Sequence, residues 1–496
     1  MNVLLLSMPD SFEHMPSVVI RMPNGALTSL AGNLDPHHHV AVADLILVQD
    51  KVAETVRQLL RDHDPDVVGL SIMTFQRRTA ERIIGMVREL QPGAKIVVGG
   101  YDPSLAYEAY EPMDIDFLVR GEGEVTLREL LRALESNSTC ENIPGLSHRD
   151  AHGKWKHNTA RPVHTLDDGD IKLPKRDARV LKGYTMLGRQ VDVVESSRGC
   201  TFDCSFCSII EMRGRNFHTY SFERVIADIR DAYEHGARSI FFVDDNIVLN
   251  VKRFEGLCRA IIEAGLTKID YYVQAMTSAL ANHGEVLAPL MRQAGFRYVF
   301  LGIENILETD LTFLNASAKN TARENGKKTG NATLQAIDYI HRNGMYVVGG
   351  LIVGNPDDTE ESITANLEFA RRYVDWPYIQ HPTPYPRTPM TQEFRDRNLI
   401  LHERAEEYDG TTAVVRTERL SAEQIEYLRW KAERWMKVRH LPVVLRHDPW
   451  FILKNAPKMM AHTFRGSSWR SALGLEPAQR SFARYKQIRK LERQYV

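Results

Sequence analysis

Two separate stretches of the chain alternate short apolar runs with amphipathic helical patterns, which commits each to a parallel sheet with crossover helices. In the first, the runs are Val3–Ser7, Val40–Leu45, Val67–Ile72, Lys95–Val98 and Phe117–Val119. Between them, Val52–Leu60 and Ala80–Leu90 repeat apolar residues at helical spacing. Residues 1–140 therefore read as a doubly wound, Rossmann-like α/β domain, whose ligands sit at the carboxyl ends of the strands. Ser71 and Thr74, Gly99 and Gly100, and Gly121 and Glu122 stand at three such ends. Small residues there let the backbone approach a large ligand closely.

Residues 141–190, with Gly145, Gly153, Pro162 and Pro174, read as an irregular connector. A second series follows, with strands expected at Val191–Glu195, Ser239–Val243, Ile269–Val273, Tyr298–Gly302, Tyr346–Ile352 and Trp376–Gln380. Helical stretches lie at Ser221–His235, opened by the capping residue Ser221, and at Lys252–Ala264. Six such units predict a partial (β/α)6 barrel over residues 191–390, with its chemistry at the strand carboxyl ends. Residues 391–496 read as mostly helical, in Ser421–Arg439 and Pro477–Arg493.

Composition narrows the class. The 496 residues include five cysteines, an odd number and too few for a disulfide scaffold, so a reducing cytoplasm is expected. No apolar run approaches the ~18 residues of a membrane span, and Met1–Leu6 reads as a first strand, not a signal peptide. The net charge of −1 conceals an asymmetry, because Arg429–Val496 carries an excess of twelve positive charges. Trp430, Trp435, Trp450 and Trp469 lie in the same tail. Its segment Leu441–Phe464 mixes apolar, aromatic and basic residues, suiting an anionic membrane interface, a helical cap on the barrel, or phosphates. The triplet His37-His38-His39 precedes a strand and reads as a solvated turn.

Cys200, Cys204 and Cys207 follow the first barrel strand with C-x3-C-x2-C spacing. Three thiolates can serve three irons of a four-iron cluster and leave the fourth open to a ligand. A structural zinc would need a fourth ligand, and the nearest downstream histidine is His218. Cys140 and Cys258 are isolated, so a second three-cysteine cluster is arithmetically impossible.

With Phe206 before its last cysteine, this segment resembles the radical S-adenosylmethionine (SAM) superfamily. The resemblance implies a [4Fe–4S] cluster on Cys200, Cys204 and Cys207, SAM on the open iron, and reductive release of a 5′-deoxyadenosyl radical. It further implies SAM contacts from Phe206, Asp244, Asp245, Glu304, Gly350 and Gly354. An electron donor such as flavodoxin or ferredoxin is then needed.

The doubly wound domain ahead of this barrel resembles that of the cobalamin-binding class B radical SAM methyltransferases. That resemblance implies cobalamin near Ser71, Thr74, Gly99, Gly100, Gly121 and Glu122. The cobalt-ligating motif Asp-x-His-x-x-Gly is absent. The expected chemistry is methylation of an unactivated carbon through methylcobalamin. Layout and the stretch Arg21–Asn33 are similar to the hopanoid C-3 methylases, implying methylation at C3 of the hopanoid A ring. The tail would then place the enzyme peripherally on the inner face of the cytoplasmic membrane, and nucleic acid is not an expected partner. The alternatives are an anaerobic cyclase or oxidase acting on a tetrapyrrole or another lipid, and a non-enzymatic cobalamin- or zinc-binding module. A methylthiotransferase would require the second cluster that the cysteine count denies.

Overall fold

In the first sheet, strand β1 (Asn2–Ser7) is buried from Val3 to Ser7, so both of its faces need cover. Leu4 and Leu6 enter one core cluster, and Val3 and Leu5 enter another. Strands β2 (His39–Asp44), β3 (Val67–Ser71), β4 (Lys95–Gly99) and β5 (Phe117–Val119) complete a parallel sheet in the order β2-β1-β3-β4-β5. Helices α1 (Gly25–Asn33), α2 (Val52–His63), α3 (Arg77–Leu90) and α4 (Glu124–Glu135) supply the cover. On α2, Val52, Val56, Leu59 and Leu60 form one buried stripe, and with α3 they cover the Leu4 face. Residues of α1 and α4 cover the Val3 face. The stretch expected as a connector adds two antiparallel strands, Leu146–Arg149 and Trp155–His157, to this sheet.

The second sheet contains six parallel strands in sequence order: β6 (Arg189–Val194), β7 (Ser239–Phe242), β8 (Asp270–Met276), β9 (Phe296–Glu304), β10 (Tyr346–Ile352) and β11 (Trp376–Gln380). Helices α5 (Phe222–Glu234), α6 (Val251–Glu263), α7 (Thr277–Ala294), α8 (Thr333–Arg342) and α9 (Glu360–Tyr373) connect these strands. Ser221 caps α5 as expected, its side chain accepting from the Arg224 amide. Two short antiparallel strands extend the β6 edge: Thr185–Met186, then Ile20–Arg21 from the segment preceding α1. The sheet thus stays an open, partial barrel. The computed structural model describes residues 1–11, 19–166, 169–324, 327–447, 449–467, 470, 475–492 and 494–496.

The tail wraps the barrel. Helix α10 (Ala422–His447) places His440 against Trp376, with ring centroids 4.4 Å apart. Helix α11 (Pro449–Thr463) buries Phe451 and Ile452 among Leu187, Val191, Tyr272 and Tyr298, at the amino-terminal end of the barrel strands. Arg489 of α12 (Ala478–Glu492) donates to the Asp409 carboxylate. Helical caps therefore account for much of the tail, and no helix of the described residues is long and apolar enough to cross a membrane. Trp469 and Arg493 lie outside the described residues. The His37 side chain is exposed, as a turn predicts, but His38 is buried beside Glu135, which lies at the end of α4.

Arg176 joins the segment before the barrel to β6 and α5. Its buried guanidinium donates to Asp192 at 3.0 Å and to Asp228 and Asp231, each at 2.6 Å. Arg176→Met would leave Asp228 buried without its counter-charge, whereas Asp192 keeps its bidentate pair with Arg179. The expected cost is about 3–5 kcal/mol, seen as a lower urea midpoint of the barrel.

Candidate active site

A cavity of about 890 Å³ lies between the carboxyl ends of the two sheets. Cys200, Cys204 and Cys207 line one part of it, on the loop that leaves β6. That loop is fixed at its start by Asp244, whose carboxylate accepts from the Ser196 amide at 3.0 Å and from the Ser196 and Ser197 hydroxyls at 2.7 and 2.5 Å. Gly199 follows with φ +91°, and its amide donates to Asp245 at 2.7 Å. A Cβ on Gly199 would fall 2.4 Å from the Asn216 carbonyl oxygen, so only glycine allows this turn. Burial pushes the Cys204 thiol up to about 11 and the Cys207 thiol up to about 12, against the pull of the Lys319 ammonium.

Phe206, Asp245, Asn246, Glu304 and Gly350 line the cavity together with the cysteines. The Asn246 amide nitrogen lies 3.7 Å from Cys200 Sγ, and its buried Oδ1 has no hydrogen-bond partner. An orphaned acceptor beside the cysteines suits a polar ligand seated there. Glu304 ends β9 with φ +58°, a left-handed conformation that costs a non-glycine residue about 1–3 kcal/mol. A register shift between Gly302 and Glu304 accommodates it, and Lys319 holds the carboxylate at 3.0 Å. Gly302 and Gly350 face each other on β9 and β10, which leaves the wall thin at that level.

These positions divide the expected site residues. Phe206, Asp245, Glu304 and Gly350 line the cavity, whereas Asp244 is spent on Ser196 and Ser197. Gly354, with φ +104°, packs against Ile425 instead of bordering the cavity. In the first domain, Thr74 lines the cavity, whereas Ser71, Gly99, Gly100, Gly121 and Glu122 do not. Gly100, with φ +104°, starts the short helix that presents Tyr101 to the cavity. Glu122 accepts from Arg213 at 2.7 Å and Arg198 at 3.4 Å, so its carboxylate ties the first domain to the cysteine loop. No motif pointed to Lys319, a largely buried cation, or to the wall residues Ser7 and Asp44. Part of the Arg21–Asn33 stretch, Arg21 to Asn24, lies on this wall.

The third part is apolar. The inner faces of β7 to β11 contribute Phe241, Tyr272, Tyr298, Phe300, Val348, Trp376 and Tyr378. No histidine lines the cavity among the described residues, so none is offered there to cobalt. A thiol trio, an unsatisfied polar wall and an apolar floor in one enclosure fit an iron–sulfur cluster, a polar cosubstrate and an apolar acceptor.

The geometry defines a two-domain enzyme working between a cofactor-binding sheet and a cysteine-loaded barrel. Residues 18–131 match the B12 binding domain family, and residues 194–370 match the Radical SAM superfamily. The chain thus joins a B12-binding domain to a radical SAM domain in one enzyme, whose cofactors are cobalamin, SAM and a [4Fe–4S] cluster. It is 29% identical to an uncharacterized methyltransferase of Pyrococcus horikoshii over 92% of this chain and 97% of that protein. It is 28% identical to an anaerobic magnesium-protoporphyrin IX monomethyl ester cyclase of Cereibacter sphaeroides, over 75% of this chain and 59% of that one. Identity to the hopanoid C-3 methylase of Methylococcus capsulatus is also 28%, over 69% and 64%. The chain thus spans less than two thirds of the latter two relatives. The cobalamin-dependent SAM radical enzyme OxsB shares the fold, with a TM-score of 0.67 at 18% identity over 99% of this chain and 75% of that one.

Two buried imidazoles flank the barrel. His381 is held down to about 3 by burial, and so is His440, to about 4. An unfolded imidazole takes up its proton near 6.5. Below that pH the unfolded chain therefore binds more protons, and stability falls as pH drops. Thermal midpoints should decline from about pH 7 to about pH 4.5, and His381→Asn should flatten the decline.

Proposed function

We propose that the enzyme methylates an unactivated carbon of an apolar polycyclic lipid, with C3 of the hopanoid A ring as the acceptor. The observation that carries this reading is the aromatic floor of Tyr272, Tyr298, Trp376 and Tyr378, continuous with the cysteine-lined end of the same cavity. Such a floor accepts a large, mainly apolar ring system, to which the unpartnered Tyr272 hydroxyl can offer one polar contact. The hopanoid C-3 methylase relative and the placement of Arg21 to Asn24 on the wall support the choice of lipid.

In this reading Cys200, Cys204 and Cys207 hold the cluster, and Asp245, Asn246, Glu304 and Lys319 hold the polar half of SAM. Thr74 and Tyr101 face the corrin. When bound, these groups supply a primary-carbon radical and a transferable methyl. The chain's own residues do the rest. Lys319 neutralises Glu304 and brings a cation to the cavity wall beside Phe206. Phe241, Phe300 and Val348 exclude water from the acceptor carbon. The ion pairs of Glu122 with Arg213 and Arg198 set the spacing between the two halves of the site.

A second reading, ring formation or oxidation on a tetrapyrrole, draws on the cyclase relative. Anaerobically reconstituted enzyme, given SAM, methylcobalamin, a reductant and a C3-unsubstituted hopanoid, should yield a product heavier by one methylene. Dehydrogenation or ring closure of a supplied porphyrin ester, without that product, would favour the second reading. Cys204→Ala is expected to lose the iron–sulfur absorbance and release no 5′-deoxyadenosine, because two thiolates hold the cluster poorly.

A further inference from the structure

Helix α11 is apolar on two sides. Its inward side chains Phe451 and Ile452 are buried, with Phe451 packed so closely that a Cβ on Gly188 would lie 2.4 Å from its ring. Its outward side chains include Trp450 at 78% exposure and Leu453 at 66%, with Pro457 and Met460 also exposed. Positions 450, 453 and 457 repeat at helical spacing and form one outer stripe. Solvent-exposed Trp and Leu on one stripe mark an interaction surface more often than chance exposure does.

The surroundings are cationic. Lys454 and Lys458 run along one side of the stripe, Arg446 lies just before it on α10, and α11 contains no Asp or Glu. None of these three cations forms an ion pair among the described residues. A 15-residue helix is about 22 Å long and about 10 Å wide. That footprint is far short of the ~800 Å² that a stable protein interface buries on each partner. A bilayer needs no matching partner surface, and a Trp–Leu stripe with lysines along one side suits its anionic headgroup boundary.

The inner face gives this surface a purpose. Phe451 and Ile452 pack in one cluster with Tyr272 and Tyr298, which are also part of the cavity's aromatic floor. One helix thus stands between the outside and the part of the site suited to an apolar acceptor. We infer that the outer face of α11 docks the enzyme on an anionic lipid bilayer, so that a membrane-resident substrate reaches the barrel floor beneath that helix. For its purpose this inference rests on the lipid-substrate reading, whereas docking itself is measured separately.

Reconstituted full-length enzyme should sediment with vesicles of phosphatidylcholine and phosphatidylglycerol, and much less with phosphatidylcholine alone. Combining Trp450→Ser with Leu453→Ser should weaken sedimentation at least about tenfold, since two large apolar side chains no longer insert. Pairing Lys454→Glu with Lys458→Glu should abolish the preference for anionic vesicles. Both variants should cleave SAM at the parental rate in detergent, which shows that they remain folded. Failure of the parent to sediment with anionic vesicles would overturn the inference, as would unchanged sedimentation of the Trp450–Leu453 variant. Self-association or RNA binding lost in the same variant, without vesicle binding, would reassign the surface and equally overturn it. Vesicle binding without a hopanoid product would sink the substrate reading alone, and product without vesicle binding would sink docking alone.

Discussion

Everything in the site depends on a buried charge network at the junction of the two domains. Arg198, next to the cysteine motif, donates to Glu124 at 2.6 Å and to Glu195 at 2.8 Å, and Glu124 in turn accepts from Ser29 at 2.9 Å. Arg213 adds its bond to Glu122. Ions out of water are tolerated only when each is paired and hydrogen-bonded. Glu124 meets that condition, and its carboxyl sits down at about 2. Glu195 is pushed up to about 7 by burial, even with Arg198 beside it. The network therefore fixes one relative placement of the domains, and the cavity exists because of that placement.

The alternating pattern made most of the architecture legible. All eleven parallel strands occur near their expected positions, because apolar runs buried on both faces have few other solutions. Less legible were the short antiparallel strands Leu146–Arg149, Trp155–His157 and Ile20–Arg21. They are too short or too polar to carry a period-2 signal, and the partner of Ile20–Arg21 is distant in sequence. The cysteine loop was readable because its chemistry is local, with three ligands within eight residues. Lys319 was not, since its partner Glu304 is fifteen residues away and its meaning lies in a shared cavity. Asp244 shows what a strand-end position leaves open. Its place at a strand end suggested a ligand contact, but the nearer hydroxyls of Ser196 and Ser197 claim it.

The charge asymmetry also changes meaning once folded. Much of the tail's positive charge is used structurally, as in Arg489 against Asp409 and Arg429 against Glu433. Its aromatic residues divide likewise: Trp430 stacks near Tyr427 and Phe482, whereas Trp450 faces outward. A composition count sums these two populations and cannot separate them.

The pairing of Ile20–Arg21 with Thr185–Met186 also bears on how the molecule assembles. A sheet edge left bare invites pairing with other chains. Here that edge is sealed by a segment made more than 160 residues earlier. That pairing can form only after the barrel's first strands have been made, so it is one of the long-range steps of folding. Prying the halves apart would expose the edge again.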